Sequence, residues 1–220
     1  MNADMKLREL SAASGASTAS IKYYIREGLL PPGAKKNATT AVYGESHVAR
    51  LELIQALRQI LDVPLARIVA LTALIDDPAT PTLDVLGAAQ DIGVGGTFPP
   101  GAATVGDRER TLVSGLIERC DWPDRPTRAR STVEQMLADM SADGYLPSEE
   151  YLAEVTGILD TLSRIDLAAT TLPADADETV PGGRDRLAMR VAVGTYRHSR
   201  MLMAILNLGH ASHSIRRFGG

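Results

Sequence analysis

Ser17-Thr18-Ala19-Ser20-Ile21-Lys22-Tyr23-Tyr24-Ile25-Arg26-Glu27-Gly28-Leu29-Leu30-Pro31 decides how the N-terminal part of this chain folds. Ser17 suits the cap of a helix, because its hydroxyl can accept from a backbone amide that the first turn leaves without a partner. Gly28 ends that helix at about Glu27. Upstream, Lys6 to Ala13 predicts a short amphipathic helix with Leu7 and Leu10 on one face, stopped by Gly15. Two short helices joined by a glycine-containing turn are the sequence form of a helix-turn-helix, whose second helix enters the major groove of DNA.

Working outward, Leu29 to Val42 holds Pro31, Pro32 and Gly33 and then the polar run Lys35-Lys36-Asn37, a texture that excludes a continuous helix and predicts a β-hairpin wing. Helical period returns over Glu45 to Leu61, with Val48, Leu51, Ile54, Leu57 and Leu61 on one stripe. Asp62 and Pro64 break it, and Leu65, Ile68, Val69, Thr72 and Ile75 mark a further helix. These elements make a first domain over residues 1–75. Residues 76–106, with Pro78, Pro81, a short helix candidate at Leu83 to Gln90 and a Gly/Pro-rich stretch, are expected to be a linker. From Asp107 onward helical period dominates, with a loop at Thr170 to Gly183 and an apolar segment from Leu187 to about Leu208. The expected fold is mainly α: an N-terminal winged helix-turn-helix with a small hairpin wing, and an all-α domain over 107–220 for effector sensing, dimerisation or both.

The charge supports a polyanion-binding head. The chain of 220 residues has a net charge of −4, yet residues 1–75 carry nine Lys/Arg against six acids while the remainder carries 14 against 21. All four lysines fall within the first 36 residues. No run of about 18 apolar residues is available to span a bilayer, and Met1 to Arg8 has no apolar stretch of a signal peptide, so a cytoplasmic protein without a membrane partner is expected. The single cysteine, Cys120, has no partner for an internal disulfide and reads as a buried apolar residue. His210 and His213 sit three apart without an acidic or thiol partner at matching spacing, so no metal is expected, and no other cofactor is implied.

The run Lys6-Leu7-Arg8-Glu9-Leu10, followed by Ser17 to Pro31 with its basic-aromatic-aromatic core and Gly28-Leu29-Leu30-Pro31, resembles the opening of MerR-family regulators. Tyr43, His47-Val48-Ala49-Arg50-Leu51, Ile54, Leu57, Pro64-Leu65 and Ile68 look like the wing exit and the two following helices of that family. The resemblance implies a sequence-specific transcriptional regulator that binds double-stranded promoter DNA as a homodimer. It also implies distortion of an over-long promoter spacer for RNA polymerase, under control of a small-molecule effector. Many members carry Asn-Gly-Tyr-Arg in the wing, where this chain has Asn37-Ala38-Thr39-Thr40-Ala41-Val42-Tyr43. Without that arginine, Lys35, Lys36, Thr39 and Thr40 are left to take the wing's phosphate contacts. The cysteines of the metal-sensing branch are missing, and Pro78 and Pro81 interrupt the long helix the family places after residue 75.

On the second helix, Ser17, Thr18, Ser20, Lys22, Tyr23 and Arg26 are the polar side chains available to DNA, with Tyr24 the core member of the tyrosine pair. Tyr43, His47 and Arg50 extend the expected footprint. In the C-terminal part, Trp122, Met136, Met140, Tyr145, Tyr151 and Tyr196 read either as plain core or as the lining of a pocket for an apolar small molecule. That pocket supports the alternative function, a drug- or metabolite-sequestering protein. An enzyme is not expected, since the chain has no Gly-rich phosphate loop, no nucleophile elbow and no His/carboxylate motif.

Overall fold

A computed structural model describes residues 5–35, 37, 40–95, 103–169 and 177–218. Among these, the chain is helical apart from one antiparallel hairpin, as the mainly-α expectation required. The described residues divide between two compact units, 1–96 with 173–220 and 97–172.

The N-terminal unit begins with α1 (Leu7–Ser14) and α2 (Thr18–Arg26). Glu9 accepts the Lys6 backbone N–H at 2.6 Å, which starts α1, and Gly15 leaves it at φ 70°. The Ser17 hydroxyl accepts the Ser20 N–H at 3.0 Å, so the predicted cap of α2 forms. Beyond α2, Gly28 adopts φ 74°, a backbone state that costs glycine little, and Leu29 and Leu30 both donate to the Tyr24 carbonyl. The hairpin pairs β1 (Ala34–Lys35) with β2 (Ala41–Val42), Ala34 opposite Val42 and Lys35 opposite Ala41. Its base is held to the domain by reciprocal backbone bonds of 2.9 Å between Met5 and Tyr43.

α3 (Glu45–Gln59) and α4 (Leu65–Asp76) follow. Leu10, Ile21, Leu29, Leu51, Ile54, Leu57 and Ile68 are fully buried together. At about 1.5 to 3 kcal/mol per fully buried aliphatic side chain, this cluster dominates the unit's stability.

Two elements expected elsewhere complete the same core. α5 (Thr82–Gly93) lies inside the stretch expected to be a linker, and buries Val85, Ala89 and Ile92 in the N-terminal core. α9 (Gly183–Phe218), expected to belong with residues 107–220, instead packs its first turns on α3 and α5 through Ala188 and Ala192. The physical reason is close fit between small residues. A side chain added at Gly93 of α5 would sit 2.6 Å from the Ala192 carbonyl oxygen, and one at Gly182 would sit 2.6 Å from the Ala49 Cβ. α9 also runs well past the expected end at Leu208, and its last residues are exposed.

The second unit consists of α6 (Asp107–Arg119), α7 (Arg128–Ala142) and α8 (Glu149–Ala169). Among its described residues, Val113, Cys120, Leu137 and Ala138 are the buried apolar ones. Arg130 links α6 to α7, donating to Ser114 and Glu134 at 2.9 Å and pairing with Asp124. The unit carries seven arginines against 13 acids, whereas α9 carries seven arginines against one acid, Asp185. No helix among the described residues is long and apolar enough to cross a membrane.

Candidate nucleic-acid interface

Helix α2 has two chemically distinct sides because its apolar and polar residues alternate at helical spacing. Ile21 and Tyr24 are buried, while Lys22 and Arg26, four residues apart, project to solvent. The Arg26 side chain is 72 % exposed. Its guanidinium carbon lies 5.2 Å from the centre of the Tyr23 ring, and Nε bonds Glu27 at 3.1 Å. Tyr23 is half-buried and stands edge-on to Tyr24 at 5.7 Å. Ser17 is exposed, with Thr18 and Ser20 half-buried at the same end. The Ser17 and Ser20 hydroxyls lie 2.9 Å apart and bond each other, so Ser17 serves the helix cap first.

In the wing, Lys35 is exposed and Thr40 half-buried. Lys36 and Thr39 lie outside the described residues. Tyr43 keeps only 8 % of its surface exposed: its ring stands edge-on to His47 at 5.2 Å and covers Gly33, where a Cβ would meet it at 2.8 Å.

His47 serves the start of α3. Its Nδ1 accepts the Gly44 N–H at 3.1 Å, which requires the unprotonated nitrogen. Burial, with a smaller contribution from the Arg50 charge, holds the imidazole below its ordinary range. A His whose folded pKa is depressed supports stability above the unfolded value of about 6.5, and that support is lost as pH falls toward the folded pKa. His47→Gln keeps an acceptor at this position without the titration. The difference in thermal midpoint between wild type and His47→Gln is therefore expected to move against the wild type below about pH 6.5. A difference that stays constant from pH 8 to pH 5 contradicts this role.

Arg50 is buried inside the N-terminal unit. Its side chain is 4 % exposed and is enclosed by its own ion pairs, which corrects the expectation from sequence. Nη2 and Nη1 bond the two Asp76 oxygens at 2.5 and 3.1 Å, Nε pairs with Asp185, and Nη1 also donates to the Leu29 carbonyl at 3.2 Å. Burial opposes the charge, but the bonds to Asp76 and Asp185 outweigh it and keep the guanidinium ionised. Burial pushes the Asp185 carboxyl above its ordinary range, and the Arg50 charge pulls it back. Asp185 is the functional partner that sequence reasoning missed, for it lies 135 residues from Arg50 and no local spacing connects them.

The expected ligand-pocket residues do not share one unit. Tyr196 is on α9, half-buried with Arg200 over its ring, whereas the other five belong to the second unit. There Tyr145 and Tyr151 are well exposed, Met136 is exposed, Met140 is half-buried, and Trp122 donates its indole N–H to Asp160 at 2.8 Å. Of these five none is a fully buried core residue, which departs from the plain-core reading.

A capped helix pair, a hairpin wing and two supporting helices define a winged helix-turn-helix domain. The model of MerR HTH family regulatory proteins matches residues 5–74, and this segment is a MerR-family helix-turn-helix domain. The chain is similar to the HTH-type transcriptional regulator ZntR homolog of Haemophilus influenzae, 36 % identical over 70 residues. That match covers 32 % of this chain and 51 % of the relative, so the chain matches about half the length of that curated protein. Among solved structures, it is similar to SCO5550 of Streptomyces coelicolor A3(2), a candidate transcriptional regulator, at 29 % identity and a TM-score of 0.62. This likeness covers 98 % of the chain and 99 % of the other.

Proposed function

We propose that this protein is a sequence-specific transcriptional regulator that binds promoter DNA as a homodimer, with α2 in the major groove and the hairpin wing along the phosphates. The observation that carries the reading is the polarity of α2, which spends Ile21 and Tyr24 on the core and leaves Lys22 and Arg26 to solvent. Ser17, Thr18, Ser20 and Tyr23 supply shorter contacts along the same helix, and Lys35 and Thr40 supply those of the wing, together with Lys36 and Thr39. Tyr43 and His47 act mainly by holding the wing and α3 in place.

The dimer follows from the two-fold symmetry of operator DNA, which needs two heads. α9 is the element suited to a second copy: Met201, Ile205, Leu208 and Ile215 are exposed at steps of four, three and seven, which keep them on one stripe of the kind along which two helices pair. Distortion of the promoter, engagement of RNA polymerase and control by a small molecule belong to the same proposal, in a cytoplasmic protein without catalytic activity.

Fluorescence anisotropy with a labelled duplex from the protein's own promoter, over a salt series, tests the reading. The expected result is a Kd of about 10⁻⁸ M or tighter at low salt, rising steeply as salt is added. Sedimentation of the same samples is expected to show a dimer. No binding at low salt, with tight uptake of an apolar compound instead, sinks the proposal in favour of a sequestering protein.

A further inference from the structure

Arg50 joins three elements at one buried point. Its Nη1 reaches the Leu29 carbonyl, one residue past the Gly28 turn that ends α2, its two terminal nitrogens grip Asp76 at the end of α4, and Nε pairs with Asp185 in the first turn of α9. Leu29 is in turn tied to α2 through the bond from its N–H to the Tyr24 carbonyl, 2.9 Å long. A guanidinium is planar and stiff, so the place of its Nε partner fixes the direction of its Nη donors. The position of Asp185 is thereby transmitted to the exit of α2.

The first turn of α9 is itself keyed by polar contacts of defined geometry. Arg184 donates to the Asp77 and Thr80 carbonyls at 3.1 and 2.8 Å, and Arg186 donates to the Pro181 carbonyl at 3.1 Å. Gly182, at φ 76°, passes against Ala49 with no room for a side chain. These bonds hold the first turn alongside the Arg50–Asp185 pair and the close fit at Gly182, so no single one of them fixes its register. In chain order this turn is also where the polypeptide rejoins the N-terminal unit after α6, α7 and α8.

We propose that Asp185 is a positioning residue for α2, acting through Arg50, so that the first turn of α9 sets the affinity for DNA without touching it. The proposal rests on α2 being the DNA-reading helix. Asp185→Ala removes the partner of Nε, whereas Asp185→Asn keeps an oxygen that can accept from it. Arg184→Ala loosens α9 from the α4 exit but leaves the path to α2 intact.

The test measures DNA affinity and amide hydrogen exchange at Leu29 and Leu30 for the three full-length variants, at a temperature where each is folded by circular dichroism. Asp185→Ala is expected to bind DNA about tenfold more weakly and to exchange faster at both amides. Asp185→Asn is expected to recover most of both properties, and Arg184→Ala to stay within about twofold of wild type. Wild-type affinity and exchange in Asp185→Ala, or an equal loss in Arg184→Ala, overturns the assignment. If the wild type binds no DNA, it is the DNA-reading role of α2 that has failed, and the exchange at Leu29 and Leu30 alone decides whether Asp185 governs the exit of that helix.

Discussion

The Arg50→Met protein is expected to unfold in urea with a free energy about 3 to 5 kcal/mol below that of the wild type, the cost of leaving a buried charge without its counter-ion. Methionine fills much of the same volume, so a cavity contributes little. Asp76 is 48 % exposed and can turn to water, but Asp185 is 7 % exposed and cannot. The Leu29 carbonyl loses a donor as well. Because an unpaired buried carboxylate escapes its penalty by taking up a proton, the deficit is expected to be larger at pH 8 than at pH 5. The double variant Arg50→Met, Asp185→Leu removes both charges and is expected to regain most of the loss. A single variant within about 0.5 kcal/mol of wild type at pH 8 shows that the node contributes nothing measurable.

That node also marks the limit of what the sequence discloses. α1 to α4 are legible because their determinants are local: the Ser17 cap, the glycines at 15 and 28, Pro64 before α4 and the 3.6-residue spacing of Leu51, Ile54 and Leu57. The exposed side of α2 is legible for the same reason. The partners of α9 are not, since Ala188, Ala192 and Gly93 matter by the closeness of approach they permit, which no periodicity reports. Arg50 looks like any basic residue of a DNA-binding segment until Asp185 closes over it. Charge shows the same pattern: dividing the chain at residue 75 pools the arginines of α9 with the acids of α6, α7 and α8, and hides the most basic helix of the protein.

Reversing both exposed charges of α2, in the double variant Lys22→Glu, Arg26→Glu, is expected to weaken DNA binding by about 3 kcal/mol or more, roughly a hundredfold or greater loss. Each side chain lost removes a charge-assisted bond to phosphate, and each glutamate adds repulsion where a duplex would approach. The plot of log affinity against log salt is expected to flatten by about two, since each phosphate contact accounts for close to one counter-ion released. The loss falls equally on the operator and on unrelated duplex, because phosphate contacts carry no sequence information. Folding is left intact, both residues being exposed and outside the buried cluster of Leu10, Ile21 and Ile54. Arg58→Glu, an exposed charge reversal in the last turn of α3, supplies the comparison for a general change in net charge. An equal effect from that control, or an unchanged salt slope in the double variant, removes α2 from the DNA and leaves the domain's binding face to be found elsewhere.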